Sequence, residues 1–290
     1  MHIMWYEVDM VYETLDSLQL ALDNASNCCV DLKFCFNHQT YLEDIGDILP
    51  GELLKQVENH SIFKSREVEI IHKTNSDSFY NIGDWRRENY GDKYDYYIWG
   101  ESDCLLPECF FYNLGNIEYD KPHVVSYAQR KMWDNSWLPV EHILLQGISC
   151  TSDLSLIEPL GQGYISLEQL NSFNKVFPTI LLELPVVKID GNLTTVSKGL
   201  PTPILPEDLH FIHEDLALQL WLQLHEVSQL HFPNQIKGHN FQHPKKRKYT
   251  KTKIGEDLYV QYKNQSMNAI QKLSTQLQNK IQNGNINNRT

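Results

Sequence analysis

No stretch of this sequence stays apolar for the roughly 18 residues that a membrane helix needs, so no span is expected. A secretory signal is not expected either, because Glu7 and Asp9 interrupt the first apolar stretch. Among Cys28, Cys29, Cys35, Cys104, Cys109 and Cys150, no two form a Cys-x-x-Cys pair, and several sit in apolar, strand-like segments. They read as small buried hydrophobes in a reducing compartment, hence a cytoplasmic protein, rather than as a disulfide frame. Without a secretory route, the glycosylation acceptors Asn24-Ala25-Ser26 and Asn192-Leu193-Thr194 are chance matches. Positive charge is scarce. A formal net charge of -12 at pH 7 argues against a protein that coats nucleic acid with a generally basic face. There is no internal repeat.

What is present supports a folded core. Apolar residues make up 41% and aromatics 11%, which excludes a disordered chain. The length of 290 residues allows one large domain or two small ones. The charge is uneven: from Lys237 to Lys253 there are seven Lys/Arg and no Asp or Glu. Such a segment needs an anionic partner, or is a solvated tail.

Hydrophobic patterning predicts strands over His2–Val8, Cys29–Phe36, Val68–His72, Tyr94–Trp99 and His123–Tyr127. Helices are expected over Asp9–Leu22, Ile48–Val57, around Trp85-Arg86-Arg87, and from Pro107 to Leu114. This alternation is the signature of βαβ units and a parallel sheet. Residues 130–140 read as a Trp-rich connection, and 141–200 as less regular, with a helix over Leu167–Phe173 and a strand over Leu181–Val187. Gly199 to Pro206 is a proline-punctuated loop, followed by a helix from Leu216 to Val227 and then the basic loop. From Met267, Ile270, Leu273, Leu277 and Ile281 recur at helical spacing, an amphipathic helix that docks on the body or on a second subunit, as in a homodimer.

The run Tyr94-Asp95-Tyr96-Tyr97-Ile98-Trp99 ends abruptly in Gly100-Glu101-Ser102-Asp103-Cys104-Leu105-Leu106-Pro107. Ligand crevices of open α/β sheets lie at the carboxyl ends of strands. Two acids there can hold a hard divalent cation, which in turn holds a diphosphate. The plainer reading is a strand end with two solvated acids. Further along, His213-Glu214-Asp215-Leu216 opens a helix. Alone it reads as a first turn whose acids suit the macrodipole.

Three elements stand in order: the start Trp5-Tyr6-Glu7-Val8-Asp9 through Glu13-Thr14-Leu15-Asp16-Ser17-Leu18, the Glu101-Ser102-Asp103 segment, and Glu214-Asp215. In that order, over about residues 1 to 250, the chain resembles the inverting glycosyltransferases of family 2 with a GT-A fold. The resemblance implies a mostly parallel central sheet flanked by helices over residues 1–255, with a helical extension and frayed tail over 256–290. It implies transfer of a sugar from a nucleotide-sugar, a UDP-sugar above all, to an acceptor hydroxyl, with a divalent metal, Mn2+ or Mg2+.

Residue by residue, the resemblance makes Asp103 the metal-binding acid, with Glu101 in place of the usual first Asp. Asp215 becomes the general base that takes the acceptor's proton, with Glu214 the competing candidate. Glu7 and Asn37 join the donor-binding set, where Asn37 replaces an Asp that often bonds the base. Arg86 and Arg87 fall where the family often supplies an arginine near the diphosphate, or simply lie on a solvated helix face. His243, with His239 as runner-up, fits a further metal ligand, and mixed N/O ligation favours manganese. Lys245, Lys246 and Arg247 would face the leaving diphosphate. Trp133 and Trp137 lie where acceptor sites form in this fold and aromatic faces stack on sugars or bases. The acceptor is a glycan or small molecule on this reading.

Two alternatives stand beside it. The first is a phage or viral enzyme of the host cytoplasm that glycosylates hydroxylated bases in DNA, supported by the basic segment. The second is a non-catalytic nucleotide-binding module that interacts through its last helix; intact Asp103 and Asp215 count against it.

Overall fold

The computed structural model describes residues 1–4, 8–39, 55–75, 82–100, 102, 104–131, 137–139, 182–184, 193–209, 214–238 and 256–283. Strand β1 (His2–Met4) leads into helix α1 (Val8–Asp23), whose Val11, Thr14, Leu15, Leu18, Ala21 and Leu22 form the buried stripe. Strand β2 (Leu32–Gln39) is followed by a helical turn at 55–58, a short α2 (Ile62–Ser65), β3 (Val68–Asn75) and α3 (Ile82–Glu88). Then come β4 (Tyr96–Gly100), the two-residue β5 (Cys104–Leu105), α4 (Phe110–Leu114) and β6 (His123–Lys131). The second half holds β7 (Trp137–Pro139), β8 (Leu182–Leu184), β9 (Leu193–Ser197), α5 (Glu214–Leu224), β10 (Ser228–Gly238) and α6 (Glu256–Gln282).

Three parallel strands pair in the order β1-β2-β3, with Ile3 opposite Phe36 and Phe36 opposite His72. A second sheet runs β4-β9-β6-β10-β5, with β7 on β6 and β8 on β10. Here β9 is antiparallel to both β4 and β6, and β10 is parallel to β6, so β4, β6 and β10 point the same way.

Side-chain alternation shows that the two sheets share both of their faces. Phe34 and Phe36 of β2, Tyr96 and Ile98 of β4, Val125 of β6 and Leu193 of β9 pack with α1, α2 and α4. The intervening Cys35, Tyr97, Trp99, Val124 and Val196 pack with Trp85 of α3 and with α5 and α6. Met1 bridges the sheets: its carbonyl accepts from the Cys35 N–H at 2.9 Å, and its Cε lies 3.9 Å from where a Gly100 Cβ would be. The result is one β layer between two helical layers.

Several elements depart from the sequence expectations. β1 is shorter and stops at Met4, while β2 runs three residues later than its apolar centre predicts. Parallel pairing to β3 carries the polar Asn37-His38-Gln39 into the strand opposite Lys73-Thr74-Asn75. β9 replaces irregular chain; its Leu-Thr-Thr-Val-Ser has no alternation because all five residues are buried between β4 and β6. β10 replaces the beginning of the expected basic loop. Pro233 and Asn234, which read as breakers, fall where the pairing slips by one residue between Phe232 and Gln235, a bulge that accommodates a proline. The expected helix over 167–173 lies outside the described residues.

The last helix begins at Glu256, well before Met267. It docks on the body: Tyr262, Ser266, Ala269, Ile270 and Leu273 are buried, and the last three join α5 in the second core. Val260 and Met267 remain exposed on it. Cys35 and Cys104 are buried hydrophobes as expected, whereas Cys29 is exposed; all five described cysteines are free thiols. Among the described residues, no helix is long and apolar enough to cross a membrane.

Candidate functional site

The carboxyl ends of β4, β6 and β10 are Gly100, Lys131 and Gly238, and the parallel directions of these strands bring them to one edge. β4 ends immediately before the acid pair. Two hydroxyls of α1 hold the chain here, one at Ser102 between the two acids and one at Leu106 beyond them. Thr14 Oγ1, fully buried, donates to the Ser102 carbonyl at 2.6 Å. Ser17 Oγ accepts from the Leu106 N–H at 3.1 Å and donates to the Thr14 carbonyl at 2.8 Å. Ser102 is itself fully buried. The motif of the first helix and the motif of the strand end, read separately in the sequence, therefore meet through hydrogen bonds.

β10 approaches the same segment from the other side. It pairs antiparallel with β5, Lys237 opposite Leu105 and Gly238 opposite Cys104. The pairing stops one residue short of Asp103 on one strand and of His239 on the other. The end of β10, where the basic segment of the sequence begins, is thus paired with the two residues that follow Asp103 in the chain.

Helix α5 carries Glu214 and Asp215 in its first turn. Its far end turns back through residues 225–227, with Glu226 at a φ of 54° and the Val227 N–H bonded to the Leu222 carbonyl at 3.0 Å, directly into the start of β10. Eleven residues of helix span about 16 Å, so α5 runs back along the layer and opens toward the carboxyl edge. Ala217, Leu218, Trp221 and Leu222 anchor it in the second core.

Arg86 and Arg87 serve the fold. Arg86 is fully buried; its Nη2 donates to Thr194 Oγ1 at 3.3 Å, and the guanidinium carbon lies 5.9 Å from the Trp99 ring centroid. Arg87 donates to the Pro206 carbonyl at 2.8 Å and the Leu209 carbonyl at 3.1 Å, and pairs with Asp84. Together they tie α3 to β9 and to the proline-rich loop. Asn37 sits near the carboxyl end of β2, between Met4 and Lys73 in register. Glu7, Glu101, Asp103, His243, Lys245, Lys246 and Arg247 lie outside the described residues, as do the side chains of Asn37, Glu214 and Asp215. Among the described residues, no group of three or more His, Cys, Asp or Glu is placed to hold a metal ion.

The opposite edge of the sheet carries a polar network of another kind. His123 Nδ1–H donates to the Lys121 carbonyl at 2.7 Å, so Nε2 is left to accept from the Tyr96 hydroxyl at 2.9 Å. Burial, with Asp95 nearby, lifts the Tyr96 phenol well above its ordinary range. Burial raises Tyr90 also, and its hydroxyl donates to the Ser197 carbonyl at 3.0 Å. These phenols stay protonated and close the strand ends.

Sequence reading placed Thr14 in the motif of the first helix without giving it a role. A hydroxyl within an apolar helix face was the available signal, since a buried hydroxyl needs a partner. Thr14→Val keeps the shape and removes a buried hydrogen bond to the Ser102 carbonyl, and it is expected to cost about 1–3 kcal/mol of stability, measured by denaturant unfolding. The sequence matches no protein-family model and no curated protein.

Proposed function

We propose that the chain is a metal-dependent inverting glycosyltransferase of GT-A type that transfers a sugar from a UDP-sugar to an acceptor hydroxyl. The observation that carries the reading is the convergence at the carboxyl edge. α1 holds Ser102 and Leu106 through Thr14 and Ser17, and β10, at whose end the basic segment of the sequence begins, pairs with the same stretch through Gly238 and Cys104. The strand order supports it too: β3-β2-β1 on one side, then β4, an antiparallel β9, and parallel β6 and β10 on the other.

In this reading Asp103 and His243, with Glu101, hold Mn2+ or Mg2+. Carboxylate and imidazole together are a donor set that manganese accepts. The bound ion supplies neutralising charge to the diphosphate. Asn37 and Glu7 contribute to the nucleoside side of the donor site. Asp215, at the opening of α5, takes the acceptor's proton as the new bond forms; Glu214 is the neighbouring acid. Lys245, Lys246 and Arg247 stabilise the leaving diphosphate as the sugar bond breaks.

The direct test is release of UDP from a panel of UDP-sugars, with manganese and after its removal by chelator. Manganese-dependent release from at least one donor is expected. Release that ignores the chelator would remove the metal from the reading, and no release with any donor would remove the transferase. Replacing Lys245, Lys246 and Arg247 together by Ala is expected to weaken donor binding by about 1.5–3 kcal/mol for each charge-assisted hydrogen bond to the diphosphate that the change removes. Titration calorimetry with the donor checks this, and unchanged affinity would take the basic segment out of the donor site.

A further inference from the structure

The carboxyl end of α5 is capped by a side chain from the far end of α6. Lys280 Nζ donates to the Leu224 carbonyl at 2.7 Å and pairs with a Glu226 carboxylate oxygen at 2.8 Å. A helix leaves its last carbonyls without partners, and a cation there also meets the negative end of the macrodipole. Leu224 and Glu226 flank His225, so the ammonium is held beside the residue between them. The His225 imidazole rests on Trp221, one turn back on α5, with ring centroids 4.5 Å apart. Among the described residues, the charged groups facing His225 are Lys280 from α6 and Glu226 from the turn itself, while Trp221 brings no charge. Lys272, the preceding lysine of α6, lies about 12 Å back along the helix and pairs with Asp208 at 2.9 Å.

The rest of α6 is held differently. Ala269, Ile270 and Leu273 are buried against α5 in the second core. Beyond Leu273 the helix is mostly exposed, and Leu277 is only half-buried. A segment with so few buried apolar contacts opens locally at little cost. The Lys280 contacts are therefore the main hold on it. We propose that Lys280 and His225 form an acid-released latch: at neutral pH Lys280 pins the last turns of α6 to the end of α5, and a proton on His225 releases them. With the proton bound, two cations compete for one carboxylate and one helix end. Partial burial first, and the Lys280 charge second, push the His225 pKa below the ordinary histidine value. The docked end of α6 thus disfavours a proton that the free end accepts. The latch holds above the ordinary value of about 6.5 and is lost as pH falls below it. Histidine is the side chain whose unperturbed range puts a switch there.

The test is amide hydrogen exchange of the full chain, read by mass spectrometry at about pH 7.5 and about pH 5.5, on either side of the histidine range. Labelling times are adjusted for the pH dependence of chemical exchange. Peptides covering 274–282 are expected to lose protection at the lower pH, while those covering 262–273 keep it. His225→Gln carries no proton-dependent charge and keeps both segments protected at both values. Lys280→Met keeps the length of the side chain without its charge, and it loses the protection of 274–282 at both values with 262–273 unchanged. Thermal unfolding confirms that each variant is folded. Equal protection of 274–282 at the two pH values in the wild-type protein, or a loss that persists in His225→Gln, would overturn the proposal. A loss that spreads equally over 262–273 would overturn it too, because α6 would then be leaving as a whole. The readout needs neither donor nor acceptor, so it stands apart from the transferase reading.

Discussion

Asp103→Asn is expected to abolish the manganese-dependent stabilisation that a UDP-sugar gives the wild-type protein, while the unliganded Tm stays within a few degrees. The expectation follows from where the residue sits. It comes just after β4, next to Ser102, whose carbonyl Thr14 holds, and three residues before Leu106, whose N–H Ser17 holds. Loss of a residue that merely orients a metal ligand costs 10- to 100-fold in affinity, so loss of a ligand itself should cost at least about 100-fold. Calorimetric titration of donor with manganese present reads that loss directly. If the variant binds donor and metal like the wild type, the strand-end acids are solvated side chains and the metal assignment fails.

Asp215→Asn is expected to separate binding from chemistry. The residue lies in the first turn of α5, a helix anchored by Trp221 and Leu222 at its other end, so the amide should be accommodated without loss of fold. A general base contributes about 100- to 10,000-fold to rate. The turnover number for transfer should fall by that factor while donor affinity is kept, because the carboxylate acts on the acceptor and not on the diphosphate. Steady-state kinetics on Asp215→Asn and Glu214→Gln side by side decides the assignment. Near-normal turnover in the first with a dead second would move the base one residue back.

Among the described residues up to 131, the order of strands and helices was largely legible, because buried strands and amphipathic helices write their burial into the spacing of apolar residues. Val11, Leu15, Leu18 and Leu22 in α1, and Phe34 and Phe36 in β2, are plain cases. β9 and β10 were not legible, for two physical reasons. Leu193–Ser197 is buried on both faces, so its threonines carry no alternation, and their hydroxyls and Ser197 find partners such as Arg86 and the His123 N–H that only the folded chain supplies. β10 contains a proline, and the bulge that accommodates it is a property of its pairing with β6 rather than of its own sequence.

The site was legible as motifs but not as an arrangement. Glu13 to Leu18 and Glu101 to Asp103 could be read singly, yet the hydrogen bonds from Thr14 and Ser17 that join them span about ninety residues of chain. The arginines show the converse. Arg86 and Arg87, cations before a strand end, suit a diphosphate by type and position, and in the fold they hold Thr194, Pro206 and Leu209. A charged side chain announces its charge in the sequence but not its partner.

The central claim is that the carboxyl edge binds a nucleotide-sugar through a metal, and the most direct measurement is thermal unfolding against a panel of UDP-sugars with and without manganese. At 100 times its dissociation constant the right donor should add about 2.7 kcal/mol of stability. For a domain of this size that is a rise in Tm of about 5 °C, present with manganese and absent after chelation. A Tm that no UDP-sugar moves, with or without the metal, would contradict the claim.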